Sequence, residues 1–232
     1  MRPARALLAL ALLALIAGLV ALGVWQLQRR TWKLALIDQV EHRLAAAPVP
    51  APSPEVWPRV GTGDAYLRVT LHGSYLPDRD TLVQAVTDFG SGYWVLTPLR
   101  SDRGFIVLVN RGFVPTEMRE IEERDAPPKA PVTVAGLLRV SEPHGGFLRA
   151  NQPNANRWYS RDVAAIASAK KLGPVAPYFI DADAVSSEEW PRGGLTVVRF
   201  ANNHLVYALT WFAMAAMLGG VLVWLVRRRP RG

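Results

Sequence analysis

Two stretches decide the architecture: residues 6–28, ALLALALLALIAGLVALGVWQLQ, and residues 202–226, NNHLVYALTWFAMAAMLGGVLVWLV. Neither contains Asp, Glu, Lys or Arg. Each has a strongly apolar core of about 22 residues, which as a helix rising 1.5 Å per residue spans roughly 33 Å, the thickness of a bilayer's hydrocarbon. Basic residues stand just outside them, Arg2 and Arg5 at one end and Arg227, Arg228, Arg229 and Arg231 at the other.

These tails explain a charge balance that would otherwise suggest nucleic acid. The chain of 232 residues has 27 Lys+Arg against 19 Asp+Glu, a formal +8. Every acidic residue lies between Asp38 and Glu189, and the basic residues between Arg29 and Arg199 exceed them by only about two. The excess marks membrane flanks and excludes a nucleic-acid partner; membrane lipid is the expected neighbour. The first apolar run exceeds the 7–15 residues of a signal-peptide core and its helical pattern continues beyond it, so it is expected to remain as an anchor. The absence of cysteine excludes disulfides, thiolate nucleophiles and Cys-based metal sites.

Two spans put both termini on one side, and the four arginines after Val226 assign that side to the cytoplasm. The predicted order is a cytoplasmic tail 1–5, a span 6–28, a helical extension 29–47, a Pro-rich linker 48–64, a periplasmic mainly-β domain 65–201, a span 202–226 and a basic cytoplasmic tail 227–232. The extension rests on Leu34, Ile37, Glu41 and Leu44 at helical spacing, and the linker on Pro48, Pro50, Pro52 and Pro54. Beyond the linker, alternating β-branched or aromatic runs bounded by Gly, Pro and Asp predict strands at 66–75, 81–87, 93–100, 105–111, 132–140 and 178–181. A hairpin connection is expected at 99–104 and a short amphipathic helix at 160–172. The fold class is therefore two transmembrane α-helices flanking an α+β, mainly antiparallel β domain, barrel-like or sandwich-like.

Enzyme constellations are missing: there is no P-loop, no H-E-x-x-H and no G-x-S-x-G. Asp181-Ala-Asp183 starts like a calcium loop but has Ser186 where a glycine must turn. His204, in Asn202-Asn203-His204, is set apart from the other histidines by standing at the mouth of the second span. It has two readings. In one it belongs to an interfacial cap, with Tyr207 and Trp211 as an aromatic belt. In the other its imidazole is an axial ligand to haem iron at membrane depth. Antiparallel spans would bring Trp25, Gln26, Arg29 and His204 to one level, with arginines for haem propionates. Ala215 and Gly219, and Ala216 and Gly220, form small-residue pairs on which the first span is expected to pack.

In order, the motifs are Gly23-x-Trp25-Gln26-Leu27-x-Arg29 with Trp32-Lys33, Gly73-x-Tyr75, 92–99 (GYWVLTPL), 109–115 (VNRGFVP), Gly136-Leu137-Leu138-Arg139, and 202–212 (NNHLVYALTWF). Together they resemble the surfeit-locus-1 family of cytochrome c oxidase assembly factors across nearly the whole chain. The resemblance implies a non-enzymatic protein of the inner membrane that binds or presents haem a to oxidase subunit I, with haem a synthase as a further partner. It places the haem ligand on His204 and the first-span tryptophan on Trp25, beside Arg29 and Arg30. The alternative is a cofactor-free scaffold stabilising an assembly intermediate. The remaining motif residues, Gln26, Tyr93, Trp94, Pro98, Asn110, Arg111, Gly112, Asn202, Asn203, Tyr207 and Trp211, are assigned structural or partner roles. Pro98 is expected to end a strand, Asn110-Arg111-Gly112 to form a bulge or a close backbone approach, and Arg111 to make an ion pair or reach a propionate. Phe113 departs from the tryptophan many relatives have there.

Overall fold

The computed structural model describes residues 3–119, 126–146, 148–184, 190–196 and 202–227. Arg2, Ser186, Arg228, Arg229 and Arg231 lie outside the described residues. The chain forms two compact units, Met1–Glu41 with Val198–Gly232, and His42–Val197.

The first unit is a pair of helices. Helix α1 covers Pro3–Ala45 and helix α3, the last element, covers His204–Arg227. A proline at the start of α1 costs nothing, because the first turn has no use for its missing amide hydrogen. The expected span and helical extension are one uninterrupted helix. The apolar windows of both helices are only 6% buried. A soluble protein would bury such surface, so these are candidate membrane spans with lipid as the solvent for Leu10, Leu13, Leu209 and Val223. The hydroxyls of Thr31 and Thr210 donate to the carbonyls of Leu27 and Val206, one turn back, which satisfies them without water.

The helices meet along a narrow stripe. Leu19 and Gly23 on α1, and Ala208 and Ala215 on α3, are buried. A Cβ on Gly23 would come within 2.5 Å of the Phe212 ring, so glycine is what admits that ring. Of the small residues expected to form the packing face, Ala215 does so, whereas Gly219 and Gly220 have nothing within 4 Å of where a Cβ would stand. The glycine that matters at the crossing is on the first helix, where it meets the Phe212 ring.

The second unit contains strands β1 (Val49–Pro50), β2 (Arg68–Tyr75), β3 (Thr81–Thr87), β4 (Gly90–Ser101), β5 (Ile106–Pro115) and β6 (Val132–Val140), then helix α2 (Val163–Ala169) and strand β7 (Val175–Ala182). Their order is β1-β2-β6-β7-β5-β4-β3, with β2 also paired to β4. That pairing closes β2, β6, β7, β5 and β4 into a ring, a small barrel that is antiparallel except at β5–β7. Strand β2 manages both neighbours by dividing its length: Arg68–Gly73 pairs with β6 and Gly73–Tyr75 with β4.

The period of two in β5 and β7 sorts side chains into two cores. Val107, Val109, Tyr178 and Ile180 join Val69, Leu71 and Leu138 in one. Ile106, Leu108 and Phe179 join Val163 and Ile166 of α2 in the other. Helix α2 is shorter than the expected 160–172. The Asp162 carboxylate caps its start by accepting from the Ala165 amide at 3.1 Å, and left-handed Lys171 and Gly173 follow its end.

Two expectations are corrected. The Pro-rich run is extended, as prolines require, but it is not a free linker. Val49 and Pro50 pair with Val69 and Thr70, Ala51 is buried in the core, and the Pro52 carbonyl accepts from Trp57 Nε1 (3.1 Å) and Tyr178 Oη (2.7 Å). Pro98 likewise does not end its strand, since β4 continues to Ser101. Its carbonyl accepts from Leu76 N, on the side where β3 pairing stops at Leu96 and β2 pairing begins at Leu99. Pro98 therefore occupies a gap in the ladder, where a missing amide hydrogen costs nothing.

Candidate functional site

The helix pair carries one polar side-chain contact between its members among the described residues. Gln26 lies three residues beyond Gly23, on the stripe that faces α3, and His204 lies four before buried Ala208. Their side chains meet with His204 Nδ1 2.8 Å from Gln26 Oε1. An amide oxygen only accepts, so Nδ1 carries the hydrogen of this bond, and in the neutral ring the lone pair falls to Nε2. A neutral imidazole held by one nitrogen, with the other presenting a lone pair, is what a metal or haem iron binds. Nε2 has no hydrogen-bond partner among the described residues. His204 is half-buried, enough to fix the ring without enclosing it.

The other residues expected here are distributed around this pair. Trp25 is half exposed. Arg29 places its guanidinium 4.6 Å from the Trp32 ring, while Arg30 is half-buried. The Asn203 carbonyl accepts the Tyr207 amide to start α3. Asn202 Oδ1 is buried without a partner among the described residues. Tyr207 is exposed and Trp211 half-buried, a placement suited to an interfacial belt.

The middle motifs converge elsewhere, on a carboxylate that sequence reasoning did not single out as functional. Asp181, buried on β7, accepts from Asn110 Nδ2 (2.7 Å), the Arg139 guanidinium (2.9 Å), the Arg161 guanidinium (3.3 Å) and Thr196 Oγ1 (2.9 Å). Arg161 also holds Glu142 at 2.5 Å and lies 4.7 Å from the Phe179 ring. Burial works against the Arg161 charge, but the Asp181 and Glu142 carboxylates outweigh it and raise its pKa. With both oxygens of Asp181 engaged, the site is an anchor for four chain segments and not a cation loop. Among the described residues no three His, Cys, Asp or Glu side chains gather as a metal set.

Asn110-Arg111-Gly112 is both a bulge and a close approach. The β4–β5 register passes from Val95↔Gly112 to Leu96↔Asn110, leaving Arg111 as the extra residue. Gly112 has φ +139°, and a Cβ there would fall 2.2 Å from the Arg192 carbonyl carbon. Only glycine lets the 190–196 segment lie against β5, where Phe113 and Arg192 exchange backbone hydrogen bonds. Buried Phe113 packs there between Phe89, Trp94 and Trp190. Tyr93 faces another way, under the Arg119 guanidinium. Both line a groove of about 1050 Å³ whose charged groups include Lys129, Arg149, Arg157 and Lys170 against Asp78 and Asp80.

The family model described as the SURF1 family matches residues 13–216. Surfeit locus protein 1 of Mus musculus is 36% identical over 94% of this chain and 76% of its own length. The Homo sapiens protein of the same name is 35% identical over 84% of this chain and 69% of its own. A SURF1-like protein of Drosophila melanogaster is 32% identical, over 88% and 73% respectively.

Proposed function

Because the chain belongs to the SURF1 family, we propose that it is a non-enzymatic assembly factor for haem-copper cytochrome c oxidase that holds haem a for subunit I. The observation carrying this reading is the Gln26–His204 contact, 2.8 Å long, which fixes one imidazole nitrogen and leaves the other able to ligate. When bound, haem supplies only an iron that accepts this nitrogen. The chain's own residues do the rest: Gln26 sets the tautomer, Trp25 offers an apolar face, and Arg29 and Arg30 supply charge for propionates. The four arginines after Val226 support the reading that both termini are cytoplasmic and the barrel periplasmic. His204 and Gln26 then stand at the outer interface, within reach of subunit I and of haem a synthase.

Protein purified in detergent from cells making haem a is expected to show a Soret band that His204→Ala abolishes. Equal haem in the wild type and the variant would remove His204 from the ligand role. The second reading, a cofactor-free scaffold, draws on the basic groove beside Tyr93, which suits an acidic partner surface. It predicts that oxidase maturation survives His204→Ala and fails when the β4 or β5 motifs are disrupted.

A further inference from the structure

The basic groove of the barrel unit lies beside a sheet edge. Strand β3 ends the strand order, with β4 on one side only. On the other side a single residue of a later segment joins it: Trp158 bridges Val83 in the parallel sense, and its carbonyl accepts the Gln84 amide at 2.8 Å. Because the Gln84 amide points outward, antiparallel alternation turns the amides and carbonyls of Leu82 and Val86 outward as well. Val86 meets no backbone on that side among the described residues, and its side chain is 79% exposed. The edge thus accepts an extended chain at Trp158 and stays open two residues further on.

The groove of about 1050 Å³ follows this edge, with Leu82, Gln84 and Trp158 in its lining. Its other walls carry five cationic side chains against the carboxylates of Asp78 and Asp80. Lys129 and Arg157 have no carboxylate partner among the described residues. Arg119 and Arg149 each lie 5.6 Å over a tyrosine ring, Tyr93 and Tyr159, a stacking that fixes the guanidinium plane and leaves its N–H edge for an acceptor. Burial lowers the Lys170 pKa, and Asp80 does not offset it. Asp80 itself accepts from Thr97 Oγ1 at 2.7 Å. Positive charge in excess of its partners, next to an open strand edge, suits an extended chain whose side chains are carboxylates.

We propose that an acidic segment of a partner protein lies extended in this groove and adds to β3 beyond Trp158, its carboxylates received by Arg119, Lys129 and Arg157. The proposal deepens the second reading above and rests on its groove. A lipid headgroup offers anionic charge but no backbone for Val86, so the strand edge favours a polypeptide. The test uses full-length protein in non-ionic detergent and a fluorescent peptide of about ten residues alternating Glu and Thr, roughly 33 Å long when extended. Its counterpart alternates Gln and Thr. The Glu peptide is expected to bind about tenfold more tightly than the Gln peptide and to slow amide exchange in the segment 84–87. Lys129→Gln combined with Arg157→Gln should bring its binding to the Gln peptide's level. Val86→Pro removes an amide hydrogen that β4 does not use, so an edge strand tolerates it, and it should weaken the Glu peptide about fivefold. The two peptides are compared on wild-type protein, so a misfolded variant does not decide the outcome. Equal binding of the two peptides overturns the proposal, as does binding of the Glu peptide with exchange at 84–87 unchanged. Tighter binding of dihexanoylphosphatidylglycerol than of the Glu peptide, measured by displacement, marks a lipid site and overturns it too. Oxidase maturation with His204→Ala decides the second reading separately, because peptide binding to the purified protein does not depend on it.

Discussion

The helix pair and the barrel both place polar side chains in apolar surroundings, yet they use them in opposite ways. In the barrel, Asp181 takes donors from Asn110, Arg139, Arg161 and Thr196, so its capacity to accept is filled by the protein itself. Between the helices, His204 makes one bond and retains a nitrogen that can give a lone pair. A saturated polar group stabilises a fold, while a half-satisfied one is equipped to bind. The motif character of a residue does not separate these cases, but its count of partners does.

The comparison can be broken by mutation. Asp181→Leu should have the largest effect, because it strands Arg139 and Arg161 without their carboxylate. Removing one partner of a buried ion pair costs about 3–5 kcal/mol, which should appear as a large drop in the unfolding midpoint or as loss of folded protein. A midpoint near that of the wild type would mean that the network contributes little. Gly112→Ala comes next, at about 2–3 kcal/mol, since it combines an unfavourable backbone conformation with a collision on Arg192. Denaturant titration should show its destabilisation equalled when the 190–196 segment is displaced by other means.

Gln26→Leu should leave the unfolding midpoint of the barrel unchanged. It should weaken haem retention about 10–100-fold, the usual cost of losing the group that orients a ligating histidine. Were Gln26→Leu to unfold the barrel and spare haem binding, the contrast between the two regions would be wrong. The smallest effect is expected at His72, which pairs with Asp102 where both side chains are more than half exposed. His72→Ala should cost below about 1 kcal/mol in the same titration, because exposed pairs neither fill a core nor leave a ligand site.

The spans, the β domain and most strands were legible because they rest on local signals, apolar length and alternation. The closing of the barrel was not. It depends on β2 sharing its length between β6 and β4, and on a parallel pairing of β5 with β7, and no local pattern encodes a neighbour so distant in the chain. Pro98 misled because the rule against proline in a ladder applies only on the side its nitrogen faces, and there β3 pairing has stopped and β2 pairing has not begun. Asp181 was expected at the end of a strand, and its role stayed hidden because its donors arrive from β5, β6 and two loops. For the helix pair, Gln26 and His204 were expected at one level. That they bond became visible only once Gly23 and Ala208 fixed which faces meet.

Ring closure also bears on how the domain behaves on a crowded membrane. Tethering confines copies to a plane, where collisions are frequent and an open strand edge would invite copies to zip together. Here β1 and β4 share one side of β2, and the backbone of Trp158 meets β3 through Gln84. Closure leaves β3 as the longer sheet edge, interrupted where Trp158 bridges Val83 and Gln84, so backbone pairing between neighbouring copies is confined to that one strand.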